Sequence, residues 1–239
     1  MTIALVSVLI LLISSRYSKA NDIYINQVGD DVEITISQDG ENNTIKGYDS
    51  QDAAWEGDNN KVEIKQKTVE TGTGHTVEMD IIGDDNDVFV GQGIGTYSGG
   101  YTNRTQTDST EGGSHSAKID LKGDGNSLYL GQRNGSGFHS TPQYDSHSAE
   151  IIIDGDDNTV GAFQGHDGAK SLTLTINNDD NDVDIRQMGY DAEHTANVTL
   201  DGTYGTDLFL NQNSTTDQSY TLNQYCQNSN GCAVSVTQN

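Results

Sequence analysis

The sequence predicts an all-β fold, a β-solenoid of about eight stacked strand-turn-strand layers arranged as two facing parallel sheets. Three observations predict it. Asparagine and glutamine recur with five residues between them, at Asn21/Gln27, Asn60/Gln66, Asn86/Gln92, Asn126/Gln132, Asn158/Gln164 and Asn181/Gln187. Between these anchors the apolar residues alternate with period two, as in Val88 and Val90, Leu128 and Leu130, or Val183 and Ile185, the spacing of a strand with one covered face. Four-residue linkers of one type precede the anchors: Ile82-Gly83-Asp84-Asp85, Lys122-Gly123-Asp124-Gly125, Asp154-Gly155-Asp156-Asp157 and Asn177-Asn178-Asp179-Asp180. Their second position takes glycine or asparagine, the residues that best tolerate a left-handed backbone, so each is a tight turn.

Composition narrows the reading. The 239 residues include 36 acidic and 12 basic side chains, one proline and 27 glycines, and only 32% are hydrophobic. A chain this acidic lacks the basic footprint that nucleic acid or an anionic membrane surface requires. It is also too polar to build one large apolar core, so order has to come from repetition.

Taken in order, residues 1–20 read as a secretory signal peptide: an apolar run from Ile3 to Ile13, then a polar stretch closing on Ser18-Lys19-Ala20. An uncleaved anchor is the rival reading. Residues 21–239 form the repeat domain, with no membrane segment after signal cleavage. Asn21 to Gln27 reads as a leading half unit. The first whole unit is expected to run from Val32 through the linker Asp39-Gly40-Glu41-Asn42 to a strand headed by Asn43, with Gln38 in its first strand. Further on, a first strand lies eleven residues before each asparagine, headed by His75, His115, His147 and Lys170, with apolar residues such as Val77, Met79 and Ile81 alternating behind it. Thr206/Gln212 and Cys232/Gln238 keep the glutamine and lose the asparagine. A hairpin and an arch both fit the spacing. In an arch the two strands of a unit enter facing sheets and their apolar rows, four residues per layer, meet in between, which a lone hairpin cannot achieve.

The segments Gln38-x4-Asn43, Asn60-x5-Gln66 and Thr221-x5-Gln227-x4-Cys232-x5-Gln238 resemble the repeats of curlin, the subunit of curli, the extracellular amyloid fibres of bacterial biofilms. The resemblance covers essentially all of residues 21–239. It departs where the family's opening serine is mostly histidine, and where its first glutamine is replaced by Ile81, Leu121, Ile153, Ile176 and Leu200. The resemblance implies a secreted fibre subunit at the cell surface that self-associates, a dedicated outer-membrane secretion channel and a nucleating subunit. The alternative is a monomeric solenoid that presents loops to a surface or glycan.

The expected functional residues are structural. Asn21, Gln27, Gln38, Asn43, Asn60, Gln66, Asn86, Gln92, Asn126, Gln132, Asn158, Gln164, Asn181, Gln187, Gln212, Gln227 and Gln238 are expected to form amide ladders, each side chain donating to one neighbouring layer and accepting from the other. His75, His115, His147 and His194 recur at one repeat position, which suits a strand-end role and not catalysis; stacked, their like charges disfavour protonation. Asp30, Glu41, Asp58, Asp84, Asp124, Asp156 and Asp179 share the third linker position. They make either an edge that gathers divalent cations or a solvated acidic edge that limits sideways association. Insertions near 93–114 and 133–146, with Tyr97, Tyr101, Phe138 and Tyr144, are loops open to an adhesive role. Cys226 and Cys232 flank the last turn; a staple there after export and two free thiols of opposite parity both remain open. No nucleophile-base pair, phosphate loop or metal-ligand spacing stands out, so neither an enzyme nor a cofactor is expected.

Overall fold

A computed structural model describes residues 21–48, 53–68, 74–93, 113–134 and 145–239. The signal-peptide segment and Tyr97, Tyr101, Phe138 and Tyr144 lie outside them. The described residues form two sheets. Sheet A contains β1 (Asp22–Ile23), β2 (Ile25–Val28), β4 (Thr44–Lys46), β5 (Ala53–Glu56), β7 (Thr76–Ile82), β9 (Ser116–Lys122), β11 (Ser148–Ala149), β13 (Lys170–Leu172), β15 (His194–Gly202) and β17 (Gln218–Cys226). Sheet B contains β3 (Glu33–Asp39), β6 (Lys61–Lys67), β8 (Asp87–Gln92), β10 (Ser127–Arg133), β12 (Thr159–Gly165), β14 (Asp182–Met188), β16 (Thr206–Asn213) and β18 (Cys232–Gln238).

The chain alternates between the sheets, giving eight rungs: β1, β2 and β3 make the first, β4, β5 and β6 the second, and one strand from each sheet makes each of the rest. Every pairing is parallel and joins neighbouring rungs: β7 bonds to β4, β5 and β9, and β8 to β6 and β10. The units are therefore arches. A hairpin would need β7 to pair with β8, and it does not.

The core is a single seam between the sheets. Rung 3 contributes Val77, Met79 and Ile81 from β7 and Val88 and Val90 from β8, all fully buried. That is five apolar residues in each of rungs 2 to 7 where four were expected, because there sheet A supplies three and sheet B two. Burying each of the larger ones is worth about 1.5–3 kcal/mol. At the ends of the stack, Ile34, Ile36, Leu222, Val234 and Val236 are only partly buried, since each lacks a neighbour on one side.

The structure corrects the phase of the first units. Asn21 to Gln27 is not a half unit of the sheet B type: its strands lie in sheet A, and they continue through Val28-Gly29-Asp30-Asp31 into β3 as a whole rung. Gln38 belongs to sheet B, in register with Gln66, while Asn43 heads a sheet A strand whose Thr44 pairs with Thr76. Asp39-Gly40-Glu41-Asn42 is thus a return between rungs and not an arch. Regular pairing in rungs 5 and 6 also stops early, at Ala149 and Leu172, and positive φ follows at Ile152 (67°), Asp154 (63°), Thr175 (94°) and Asn177 (69°). Ile151, Ile153, Leu174 and Ile176 stay buried there nonetheless.

The arch turns explain the linker sequence. In rungs 1 to 4 position two takes φ values that favour glycine, such as 119° at Gly57 and 132° at Gly83, while in rungs 5 and 6 the positive φ moves to position one, Asp154 and Asn177. Position four is left-handed, at 57° for Asn59, 59° for Asp85 and 55° for Asp157, which asparagine and aspartate tolerate. Stacking adds a second restriction: a Cβ at Gly83 would sit 2.2 Å from the carbonyl oxygen of Gly123 in the next rung. Gly83→Val is therefore expected to cost at least about 3 kcal/mol, backbone strain and clash combined. Gly231→Ala, whose nearest neighbour is 3.3 Å away, should cost clearly less. Urea unfolding midpoints of the two variants check the contrast.

Candidate functional site: polar columns along the stack

Because each rung repeats its neighbour in register, one polar side chain per rung becomes a column. The two edges of the stack carry four such columns, one acidic, one of asparagine, one of glutamine and one of histidine.

The glutamine column runs the whole length. The Nε2 of Gln38 donates to Gln66 at 2.8 Å, and the chain of donors continues through Gln92, Gln132, Gln164, Gln187 and Gln212 to Gln238, with spacings of 2.8–3.0 Å. From Gln66 onward the second N–H of each amide crosses to the sheet A strand of its own rung, as from Gln92 to the Thr76 carbonyl (3.1 Å) and from Gln132 to that of Ser116 (2.9 Å). The column therefore ties rung to rung and sheet to sheet. With both N–H groups on carbonyl oxygens, the amide orientation is fixed, because a flipped amide would set oxygen against oxygen.

The asparagine column works differently. Asn60, Asn86, Asn126, Asn158 and Asn181 each accept the backbone N–H of the next rung's anchor at 2.8–3.0 Å. The side-chain N–H groups of Asn60, Asn86 and Asn126 turn to the linker carbonyls of Gly83, Gly123 and Gly155. Side chain therefore bonds mainly to backbone here, while the glutamines bond to each other.

The third column holds Asn21, Asn43, His75, His115, His147, Lys170 and His194. From rung 2 to rung 6 the backbone N–H donates to the side chain of the rung before: Asn43 to Asn21, His75 to Asn43, and His115, His147 and Lys170 to the Nδ1 atoms of His75, His115 and His147, whereas those of His194 and Gln218 go to the carbonyls of Ala169 and Glu193. Nδ1 is consequently the unprotonated nitrogen. Nε2 of His75 donates to the Lys67 carbonyl (2.8 Å), and that of His147 to Arg133 (3.0 Å). The rings of His75, His115 and His147 stack 4.8–4.9 Å apart. Burial pushes His75 down to about 4 and His147 to about 3. His115 is held well below the usual histidine range, by burial first and by its two histidine neighbours second. In rung 6 the buried Lys170 replaces histidine, its Nζ lying 2.5–3.3 Å from the carbonyl oxygens of Asp167, Gly168, Gly189 and Ala192, and burial lowers it to about 8.

The acidic column is also a ladder. The backbone N–H groups of Asp30, Asp58, Asp84, Asp124 and Asp156 donate to the carboxylates of Asp58, Asp84, Asp124, Asp156 and Asp179 at 2.7–2.9 Å. Each carboxylate beyond the first thus satisfies a turn amide, which offsets the repulsion of about 1 kcal/mol between neighbours. Glu41 is not in this column, because its turn is a return on the opposite edge. Among the described residues no three acidic, histidine or cysteine side chains converge as a metal site would need.

Two expected ladder residues fall elsewhere. Gln227 is exposed in the last turn, outside β17. Gln27 is exposed in rung 1 and lies opposite Trp55, in the sheet A row that continues to Ile81, and not opposite an amide. Asn21 and Asn43 sit in the histidine column. Both kinds of strand separate their anchor from a core-row residue by five positions, so spacing alone did not distinguish Asn21/Gln27 from the sheet B pairs. Lys170 heads β13, as the spacing predicts, but nothing in the sequence marks its carbonyl cage. A Cys226–Cys232 disulfide joins the two sheets of rung 8 across a turn longer than the others. Cys226 lies past the last core row of β17, where the bend of the arch, and not strand parity, directs its side chain.

Comparison with known proteins found no matching family model, no similar curated protein and no similar solved structure.

Two predictions follow the columns. In the unfolded chain the histidines titrate near 6.5, whereas in the fold they stay neutral to lower pH. The unfolded state therefore binds more protons below 6.5, and stability should fall by about 1.4 kcal/mol per pH unit for each buried histidine, down to about 4 for His75 and about 3 for His147. His75, His115 and His147 all changed to asparagine, the residue rungs 1 and 2 already use, should flatten the slope; urea melts at pH 7.5, 6 and 5 measure it. Gln132→Ala strips partners from Gln92, Gln164 and the Ser116 carbonyl, and should cost roughly 2–5 kcal/mol by the same melts.

Proposed function

We propose that this chain is a secreted structural subunit of a curli-like extracellular amyloid fibre, assembling by end-to-end stacking of its rungs and serving a biofilm matrix or surface adhesion. The observation that carries the reading is that the stack is uncovered at both ends among the described residues. β3 and β18 each have a sheet neighbour on one side only, as do the sheet A strands of rungs 1 and 8. The seven-residue edges β3 and β18, with partly buried isoleucine and valine, are templates for a further strand, and soluble proteins ordinarily cover such edges. The repeat chemistry supports it: parallel, in-register strands with glutamine ladders and a dry seam are the makings of a cross-β fibre.

The columns have this role in the reading: they fix register, so that an added subunit continues every row at once. The acidic turn edge keeps stacks apart sideways while the ends stay free to join. Passage through an outer-membrane channel and a nucleating subunit are what the curlin resemblance brings to the proposal.

Incubation of the purified secreted chain is expected to give fibrils that bind thioflavin, grow faster when seeded, and diffract at about 4.7 Å along the fibre and about 10 Å across it. A chain that stays monomeric at high concentration and binds cells or glycans instead supports the loop-presenting alternative.

A further inference from the structure

Asparagine is chemically labile, because its side-chain carbon lies within reach of the backbone nitrogen of the following residue. The stack guards its ladder asparagines against that attack. Lys61, Asp87, Ser127 and Thr159 follow the ladder residues Asn60, Asn86, Asn126 and Asn158. Each donates its backbone N–H to the asparagine carbonyl of the next rung, at 2.7–2.9 Å. The ladder side chains are bound as well, so both reacting groups are held apart.

A glycine after asparagine removes the side chain that shields the attacking nitrogen and widens the backbone angles open to ring closure. The sequence has this pair twice, as Asn134-Gly135 and Asn230-Gly231. The fold treats the two differently. Asn134 is 1% exposed and its Nδ2 donates to the Asp145 carbonyl at 2.6 Å. Asn230 is exposed, in the long turn between β17 and β18.

That turn is also uncoupled from the rung before it. In the earlier arches the residue just before the anchor, Asn59, Asp85, Gly125 or Asp157, donates its N–H to the preceding rung. Gly231 holds the same place before Cys232, yet it donates to the carbonyl of Asn228 in its own turn, at 2.8 Å. Asn230 likewise donates its backbone N–H to Oδ1 of Asn228, at 3.2 Å. Both bonds are local and exposed, so they open without any rung separating.

We propose that Asn230 is a site of spontaneous modification, converting to aspartate and isoaspartate in the folded chain while the ladder asparagines persist. The Gly231 nitrogen bonds to Cγ of Asn230 and the Cγ–Nδ2 bond breaks; Nδ2 leaves as ammonia, taking the proton that Gly231 gives up. Water then opens the cyclic imide, its oxygen joining Cγ or the backbone carbonyl carbon and one of its protons returning to the ring nitrogen. Addition at Cγ gives aspartate, and addition at the backbone carbon gives isoaspartate, which routes the chain through the side chain.

The position gives the reaction a consequence. Asn230 stands two residues before Cys232, as Asp84 and Asp124 stand two before Asn86 and Asn126, so it holds the acidic position of its rung with an amide in place of a carboxylate. Residues 218–239 contain no acidic or basic side chain. Conversion therefore gives rung 8 its first charged side chain, on the turn edge where rungs 1 to 6 carry the acidic column, and the charge accumulates as the chain ages. The proposal concerns a single chain and holds whether or not copies stack.

Incubation of the folded, disulfide-bonded chain at mildly alkaline pH, followed by peptide mapping with mass spectrometry, tests the site. Conversion at Asn230 should outrun that at Asn134 by at least about tenfold, because Asn134 reacts only when its buried contact opens. In urea, with the disulfide intact, the two should convert within about threefold of each other, since both precede glycine and neither is held by the fold. Asn230→Gln should remove the fast gain of negative charge seen on ion exchange. Equal conversion at the two sites in the folded chain, earlier conversion at Asn134 or at a ladder asparagine, or an Asn230 that stays intact until urea is added overturns the proposal. So does a preference for Asn230 that persists unchanged in urea, because local sequence and not the fold would then select the site.

Discussion

A seam only two side chains wide cannot shield polar groups unless each finds its partner in the adjacent rung, and that requirement governs the molecule. Amides, imidazoles and turn peptides all lie at the margin of the seam, where water is largely excluded. A buried polar group left unpaired costs about 1–3 kcal/mol, comparable to the gain from burying one of the aliphatic residues beside it. Register is therefore decided at the edges, by the columns, as much as by the apolar rows. A slip of one residue would exchange core and surface and at the same time break all four columns.

The architecture was legible because repetition makes a weak local signal strong. Val88 and Val90 alone could belong to many folds; with Asn86, Gln92 and a glycine-aspartate linker recurring in one phase, they specify an arch. Phase was harder at the start of the chain. Rung 2 is interrupted between β4 and β5, so counting back from Asn60 does not reach Asn43, and the return Asp39-Gly40-Glu41-Asn42 has the same residue types as an arch turn. The conformations behind that similarity are local, whereas the difference between arch and return lies in which sheet follows. The disulfide and the Lys170 cage were illegible for a related reason: each depends on where an irregular turn places a side chain, and periodicity says nothing of irregular turns.

The columns also divide the labour of stability. Glutamine couples two sheets and two rungs through one side chain and remains neutral over the working pH range. The imidazole column makes equivalent backbone contacts with a group that can be charged, but only when the rings are removed from the seam. Its sequence, asparagine in rungs 1 and 2 and histidine in rungs 3 to 5, shows that an acceptor serves there and that titratability is an addition, whereas Lys170, which can only donate, turns its ammonium to carbonyl oxygens.

Hydrogen exchange of the side-chain amides, followed by NMR on the folded chain, reads the coupling between rungs. The Nε2 protons of Gln92, Gln132 and Gln164 are expected to exchange as slowly as the backbone amides of β10, because both open only when rungs separate. Exchange of those carboxamides at the rate of a free glutamine, with the backbone of β10 still protected, would contradict it.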